Sequence, residues 1–156
     1  MKNIFFYDTK IGKIAIIDNG NEITDMELAE GTDYKNINVN ETTLIKEAAK
    51  QLEEYLNGGR TTFDLPLNPQ GTEFQKNVWK VLCDIPFGET RSYKQVAIAV
   101  GNPKASRAIG MANNKNPIMI FVPCHRVIGS NGKLVGYAGG LDIKEKLLSI
   151  EKGKAV

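Results

Sequence analysis

Ile118-Met119-Ile120-Phe121-Val122 runs straight into Pro123-Cys124-His125-Arg126-Val127, a stretch that holds the single histidine of the 156-residue chain and one of its two cysteines. The five apolar residues predict a buried strand, and Pro123 ends it because proline has no N–H to give to a ladder. That strand delivers Cys124 to its end. A thiol has a free pKa of about 8.5 and becomes a good nucleophile beside a base or a cation. His125 and Arg126 are its neighbours in sequence. Adjacent side chains of an extended chain point to opposite faces, so His125 has to reach the sulfur through a bent backbone or a water. On these residues alone an inert, buried thiol stays open, since free cysteine also packs as a small hydrophobe.

Upstream, Ser92 is an N-cap for a short helix over 93–100, and Gly101 breaks it. Asn102 caps a second helix over 103–112, with Pro103 in the first turn, where proline is favoured. Two short helices around a glycine-containing turn form a helix-turn-helix pattern whose second member is the recognition helix. Lys104, Ala105, Ser106 and Arg107 mix positive charge with side chains small enough for close approach to a groove. Similar helix pairs also occur in proteins that never touch DNA. Residues 113–116 read as a polar loop, and Pro117 biases Asn116 away from helical geometry.

Downstream, 129–132 is turn chemistry, and 135–140 is a glycine-rich loop around Tyr137 that is able to close over a flat ligand. A last helix over 141–151 places Lys144, Leu147, Leu148 and Glu151 on one face. A carboxylate on that face is partly buried and needs a partner, for which His125 is available. A surface position at a fraying helix end is the alternative for Glu151.

The first half reads differently. Runs at 3–7, 12–18 and 22–28 are β-branched and aromatic, and Asn19-Gly20-Asn21 between the last two is a hairpin signal. Over 42–56, Leu44, Ala48, Leu52, Tyr55 and Leu56 fall at helical spacing before Gly58-Gly59. Residues 60–70, with Pro66 and Pro69, read as a linker. Thr72-Glu73-Phe74-Gln75 is a capping box opening a helix whose Phe74, Val78, Trp79, Val81 and Leu82 face inward, with Cys83 as a buried structural thiol at its end. The expected fold is α/β (α+β). A small N-terminal antiparallel sheet with a covering helix forms a structural domain over 1–68, followed over 69–156 by a mainly helical domain with the helix-turn-helix and the active-site strand.

Composition agrees with that division. The formal charge of +2 hides 7 Lys/Arg against 12 Asp/Glu in residues 1–68, a net of −5, and 13 against 6 in residues 69–156, a net of +7. A basic half carrying the motif suits a phosphate-facing surface, although a solvated basic face is the plainer alternative. No apolar run is long enough for a membrane span, and Asp8 soon after Phe5 and Phe6 does not suit a signal peptide, so a soluble, cytoplasmic protein with no membrane partner is expected. Two cysteines without CxxC spacing and one histidine do not build a four-ligand metal site, so no metal is expected.

Pro123-Cys124-His125-Arg126-Val127 followed by Tyr137-Ala138-Gly139-Gly140, with RAIGMANNKNPI over 107–118 and SYKQVA over 92–97, resembles the O6-alkylguanine-DNA alkyltransferases, or methylated-DNA–protein-cysteine methyltransferases. The match spans residues 74–151. The resemblance implies a ribonuclease H-like first domain. It also implies a monomer that repairs double-stranded DNA containing O6-alkylguanine by irreversible, stoichiometric transfer of a methyl or other alkyl group from O6 of guanine, and from O4 of thymine, to Cys124. No cofactor is implied. Some members carry a zinc in the first domain, for which this chain lacks the ligands.

By the same resemblance, Glu151 orients His125, which takes the Cys124 proton through a water before the thiolate attacks the alkyl carbon. Tyr93 hydrogen-bonds the flipped base and assists protonation of the leaving guanine. Backbone groups at Cys124, Val127 and Ala138 bind the base, Tyr137 forms a wall, and Asn116, Gly139 and Lys144 complete the substrate site. Relatives often have serine where this chain has Ala138, which removes a hydroxyl contact to O6. The recognition helix lies in the minor groove with Arg107 inserted in place of the extruded base, and Ser92, Tyr93, Lys104, Ala105, Ser106 and Arg126 also face DNA. The rival readings are a lesion binder without transfer, a sequence-specific regulator, and a cysteine hydrolase on Cys124 and His125 that would turn over repeatedly.

Overall fold

The computed structural model describes residues 1–132, 137 and 139–153, and the chain divides into two compact units, Met1–Gln70 and Gly71–Val156. In the first, β1 (Asn3–Thr9) and β3 (Ile23–Leu28) both pair antiparallel with β2 (Gly12–Asp18). Asn19 Oδ1 closes the second hairpin by accepting from the N–H groups of Asn21 (3.0 Å) and Glu22 (2.8 Å), a side chain standing in for a turn carbonyl. The sheet is not purely antiparallel as expected: β4 (Asn38–Val39) adds parallel to β1, giving the order β3-β2-β1-β4. Two exposed residues are too few to leave a period in the sequence. The covering helix α1 (Thr43–Leu56) is capped by Thr42, which accepts from the Ile45 N–H, and it buries Ile45, Ala48, Leu52 and Tyr55. It packs on β1 and β2.

The stretch read as a linker is held in place. Buried Gln51 of α1 donates to the Asp64 carbonyl (3.2 Å) and accepts from the Asp64 N–H (2.9 Å). Ile23 N–H reaches the Pro66 carbonyl and Asn68 N–H the Ile23 carbonyl, both at 2.8 Å. Prolines announce the loss of a repeating hydrogen-bond pattern, not the loss of hydrogen bonds.

In the second unit α2 (Glu73–Cys83) begins with the Thr72–Gln75 capping box and buries Val78, Trp79 and Leu82. Phe74 in its first turn stays 36% exposed, and Cys83 is exposed rather than buried as expected. β5 (Arg91–Ser92) leads into α3 (Tyr93–Ala99), opened by a Ser92–Gln95 capping box. The second helix of the pair, α4 (Ser106–Asn114), has Ala105 at its N-cap, not Asn102. Asn102 is spent on ending α3: Gly101 takes a φ of +87° and donates to Ile98 O (3.0 Å), while Asn102 donates to Ala97 O (2.9 Å). That is a Schellman motif, and it leaves Lys104 in the turn before α4. Trp79 Nε1 donates to the Ala112 carbonyl at 2.9 Å, fixing α2 to α4. β6 (Val127–Ile128) pairs parallel with β5, and α5 (Leu141–Glu151) closes the unit. No helix among the described residues is long and apolar enough to cross a membrane.

Candidate active site

The strand expected over 118–122 is a buried turn. All five apolar residues are buried, yet Ile120 has a φ of +72°, Phe121 N–H bonds to Met119 O (2.8 Å) and Val122 N–H to Ile118 O (3.0 Å). Left-handed backbone costs an isoleucine on the order of 1–2 kcal/mol. Asn116 holds it there: its Nδ2 donates to Val122 O (2.9 Å) and Ile118 O (3.3 Å), and its Oδ1 accepts from Ile118 N–H (3.0 Å). The apolar run reports burial, and the asparagine decides shape.

Cys124 then opens a single 3-10 turn, Cys124–Arg126, so the expected bend between Cys124 and His125 is present. The motif's strand is β6, just after it. Asn113 Nδ2, on α4, donates to the Cys124 carbonyl at 3.2 Å. Asn113 belongs to the helix and not to the expected loop over 113–116; Ala112 and Asn113 follow Ile109 by three and four residues, the spacing that puts them on one buried face.

Around the sulfur the site is closed, with Cys124 at 2% exposure and His125 at 0%. His125 Nε2 lies 2.6 Å from Glu151 Oε2. Glu151 is buried, as its helical face implied, and three further N–H groups reach it: Gly88 N to Oε1 (3.1 Å), Arg126 Nε to Oε1 (2.8 Å) and Arg126 Nη2 to Oε2 (3.0 Å). Arg126 Nη1 donates to Ile85 O at 2.7 Å, and the guanidinium lies over the Phe87 ring. The expectation that Arg126 faces DNA is therefore corrected. It is buried, because a guanidinium with a carboxylate fork and a carbonyl at hand satisfies itself inside.

Burial pushes the Cys124 thiol up, while Asn116, the charge of Lys144 and Tyr137 pull it back. Burial holds His125 below the ordinary imidazole range against the opposing pull of Glu151, so the ring rests neutral. Lys144 Nζ donates to the Val127 carbonyl at 2.6 Å, and burial brings its pKa down to about 8 although the Cys124 charge raises it. The Tyr93 pKa is raised by burial and further by the Cys124 charge.

The structure thus brings Tyr93, Asn116, Val127, Tyr137, Lys144 and Glu151 around the Cys124–His125 turn. A Cβ on Gly139 would lie 2.9 Å from the Tyr137 ring, so a glycine there lets that ring close in. Ala138 lies outside the described residues. Ser92 uses its hydroxyl as the α3 cap, Lys104 and Arg107 are exposed, and Ala105 and Ser106 are half-buried at the start of α4.

A helix-turn-helix with an exposed arginine, tied through Asn113 to a buried thiol beside an imidazole–carboxylate pair, is the layout of a DNA-handling protein with a nucleophilic centre. Comparison with known proteins makes the assignment. The family models described as 6-O-methylguanine DNA methyltransferase match in two parts, the ribonuclease-like domain over 5–69 and the DNA-binding domain over 73–153. A methylated-DNA–protein-cysteine methyltransferase of Methanosarcina barkeri is 50% identical, with 94% of this chain and 97% of that protein covered. The constitutive enzyme of Bacillus subtilis is 48% identical over 93% and 92%. The crystal structure of Mycobacterium tuberculosis OGT in complex with DNA aligns with a TM-score of 0.92 at 43% identity, covering 98% of this chain and 94% of that one. This chain belongs to the 6-O-methylguanine DNA methyltransferase family.

Proposed function

We propose that this protein repairs double-stranded DNA by moving the alkyl group of O6-alkylguanine onto Cys124, once per molecule, as a monomer in the cytoplasm. The observation that carries the reading is the buried Cys124 on the same turn as a neutral His125 that is bonded to Glu151. In the step, the Cys124 proton passes to His125 and the thiolate attacks the alkyl carbon. The new S–C bond forms as the C–O6 bond breaks, and the guanine anion takes a proton, for which Tyr93 is the candidate donor. Lys144 supplies positive charge near the forming thiolate. A buried thiol with a raised pKa needs that help, since only the thiolate is a strong nucleophile. The product is a thioether with no carbonyl to attack, so no residue regenerates the thiol.

Extrusion of the base is required because a stacked guanine does not bring O6 to a buried sulfur. The exposed Arg107 and Lys104 beside the small residues Ala105 and Ser106 support α4 as the groove element. Two free thiols suit a reducing compartment. Intact mass measured after incubation with an oligonucleotide bearing one O6-methylguanine tests the reading. One added methyl per molecule on the Cys124 peptide is expected, and an unmodified protein that still shifts the oligonucleotide would overturn it.

A further inference from the structure

The exposed arc of α4 carries more than Arg107. Ile109, Ala112 and Asn113 turn inward, which leaves Arg107, Ala108, Met111, Asn114 and Lys115 outside. Met111 sits four residues after Arg107 and four before Lys115, the spacing that makes side chains neighbours on a helix. Among the described residues it is the most exposed large apolar side chain after the N-terminal Met1, at 65%. Single exposed apolar residues are ordinary on a protein surface. This one stands between two cations, on a helix whose remaining uncharged surface is alanine, serine, glycine and asparagine. A Cβ on Gly110 would lie 3.8 Å from the Tyr93 ring, so that side of α4 leads toward the thiol. Met111 follows about 100° further round the helix, beside that path and outward from it.

We infer that the DNA surface of α4 runs the full length of the helix, with Met111 as an apolar contact to the deoxyribose walls of the groove and Lys115 as a phosphate contact at its far end. The inference rests on the reading of α4 as the groove element. Sugar walls offer C–H surface at every nucleotide, and an unbranched, polarizable thioether fits them without reading sequence. Methionine is among the apolar side chains that minor-groove proteins press against the duplex. A second protein is the poorer occupant: the core of a protein interface is depleted of charge, whereas Met111 is flanked by Arg107 and Lys115. An apolar contact releases no counterion, so its share of the affinity is independent of salt, unlike that of the cations on either side.

Affinity for an unmodified duplex, measured with the full chain across a salt series, separates the two kinds of contact. Met111→Ala is expected to weaken binding by roughly 5- to 10-fold at every salt concentration with the slope unchanged, the scale for losing a partly buried methionine. Met111→Leu stays near native. Lys115→Ala lowers the slope by about one. Val39→Ala, which trims a side chain of similar exposure (63%) in the first unit, binds as native. All four variants react with free O6-benzylguanine at the native rate, which shows the site intact. In the native protein, duplex is also expected to slow peroxide oxidation of Met111 but not of Met1, read by peptide mass spectrometry. Native affinity in Met111→Ala, or Met111 oxidised equally fast with and without duplex, overturns the inference. Native affinity together with a changed sedimentation of the free Met111→Ala protein would give the patch to a second copy instead. If native protein binds duplex and loses affinity in Lys104→Ala but not in Met111→Ala, this inference alone fails; if neither change matters, the reading of α4 as the groove element fails with it.

Discussion

At the scale of single residues, the site depends on keeping two reactive groups neutral in a dry place until they are needed. His125 is fully buried with its pKa held below 6.5. A histidine that is protonated in the unfolded chain and neutral in the folded one makes the unfolded state bind more protons, so stability falls as pH drops below about 6.5. As the chain has one histidine, His125→Gln is expected to flatten the fall in unfolding midpoint between neutral pH and the start of carboxylate titration. A fall of unchanged steepness would assign it elsewhere. Cys124→Ser is expected to abolish transfer while leaving duplex binding near native, and stoichiometric transfer in that variant would remove Cys124 from the mechanism. The nucleophile and its neighbour were legible because a Cys-His pair followed by a Tyr-x-Gly-Gly loop is a rare juxtaposition. The direction of Arg126 was not, since a cation reads alike on the surface and in a buried fork.

At the scale of elements, capping chemistry was the most readable signal. Thr72 and Ser92 each stand where their helix begins, because a side-chain oxygen facing an orphan N–H is a local arrangement that survives folding. Apolar runs were read less well: five buried residues over 118–122 became a turn around a left-handed Ile120, and length alone does not tell a buried strand from a buried turn. The start of α4 was misplaced because Asn102 serves both as a possible cap and as the residue that ends α3, and the Schellman bonds win. If Asn116 is the clamp of the active-site turn, Asn116→Ala should cost on the order of 2–3 kcal/mol in urea unfolding, the penalty for stranding buried backbone partners. Transfer from the free base should slow with it. A cost under about 0.5 kcal/mol would mean that packing alone holds the turn.

At the scale of the molecule, charge separates what packing does not. The acidic first half and the basic second half were visible by counting, −5 over 1–68 and +7 over 69–156, because net charge needs no fold to be read. If the basic half meets the phosphates, the logarithm of duplex affinity falls linearly with the logarithm of salt concentration, by about one power for each phosphate neutralised. Lys104, exposed in the turn before α4, is a candidate phosphate contact, so Lys104→Ala is expected to lower the salt slope by about one and weaken all duplexes alike. Lys35, exposed and paired with Asp33 in the first unit at 3.5 Å, supplies the control: its replacement by alanine changes net charge equally. Equal slopes for the two variants would mean that affinity follows overall charge, while loss confined to Lys104→Ala ties the counterions to the helix-turn-helix. Arg107→Ala adds an independent readout, since an inserted side chain matters only where a base must leave the stack. Duplex repair should then fall further than reaction with free O6-benzylguanine, and equal losses would make Arg107 one more phosphate contact.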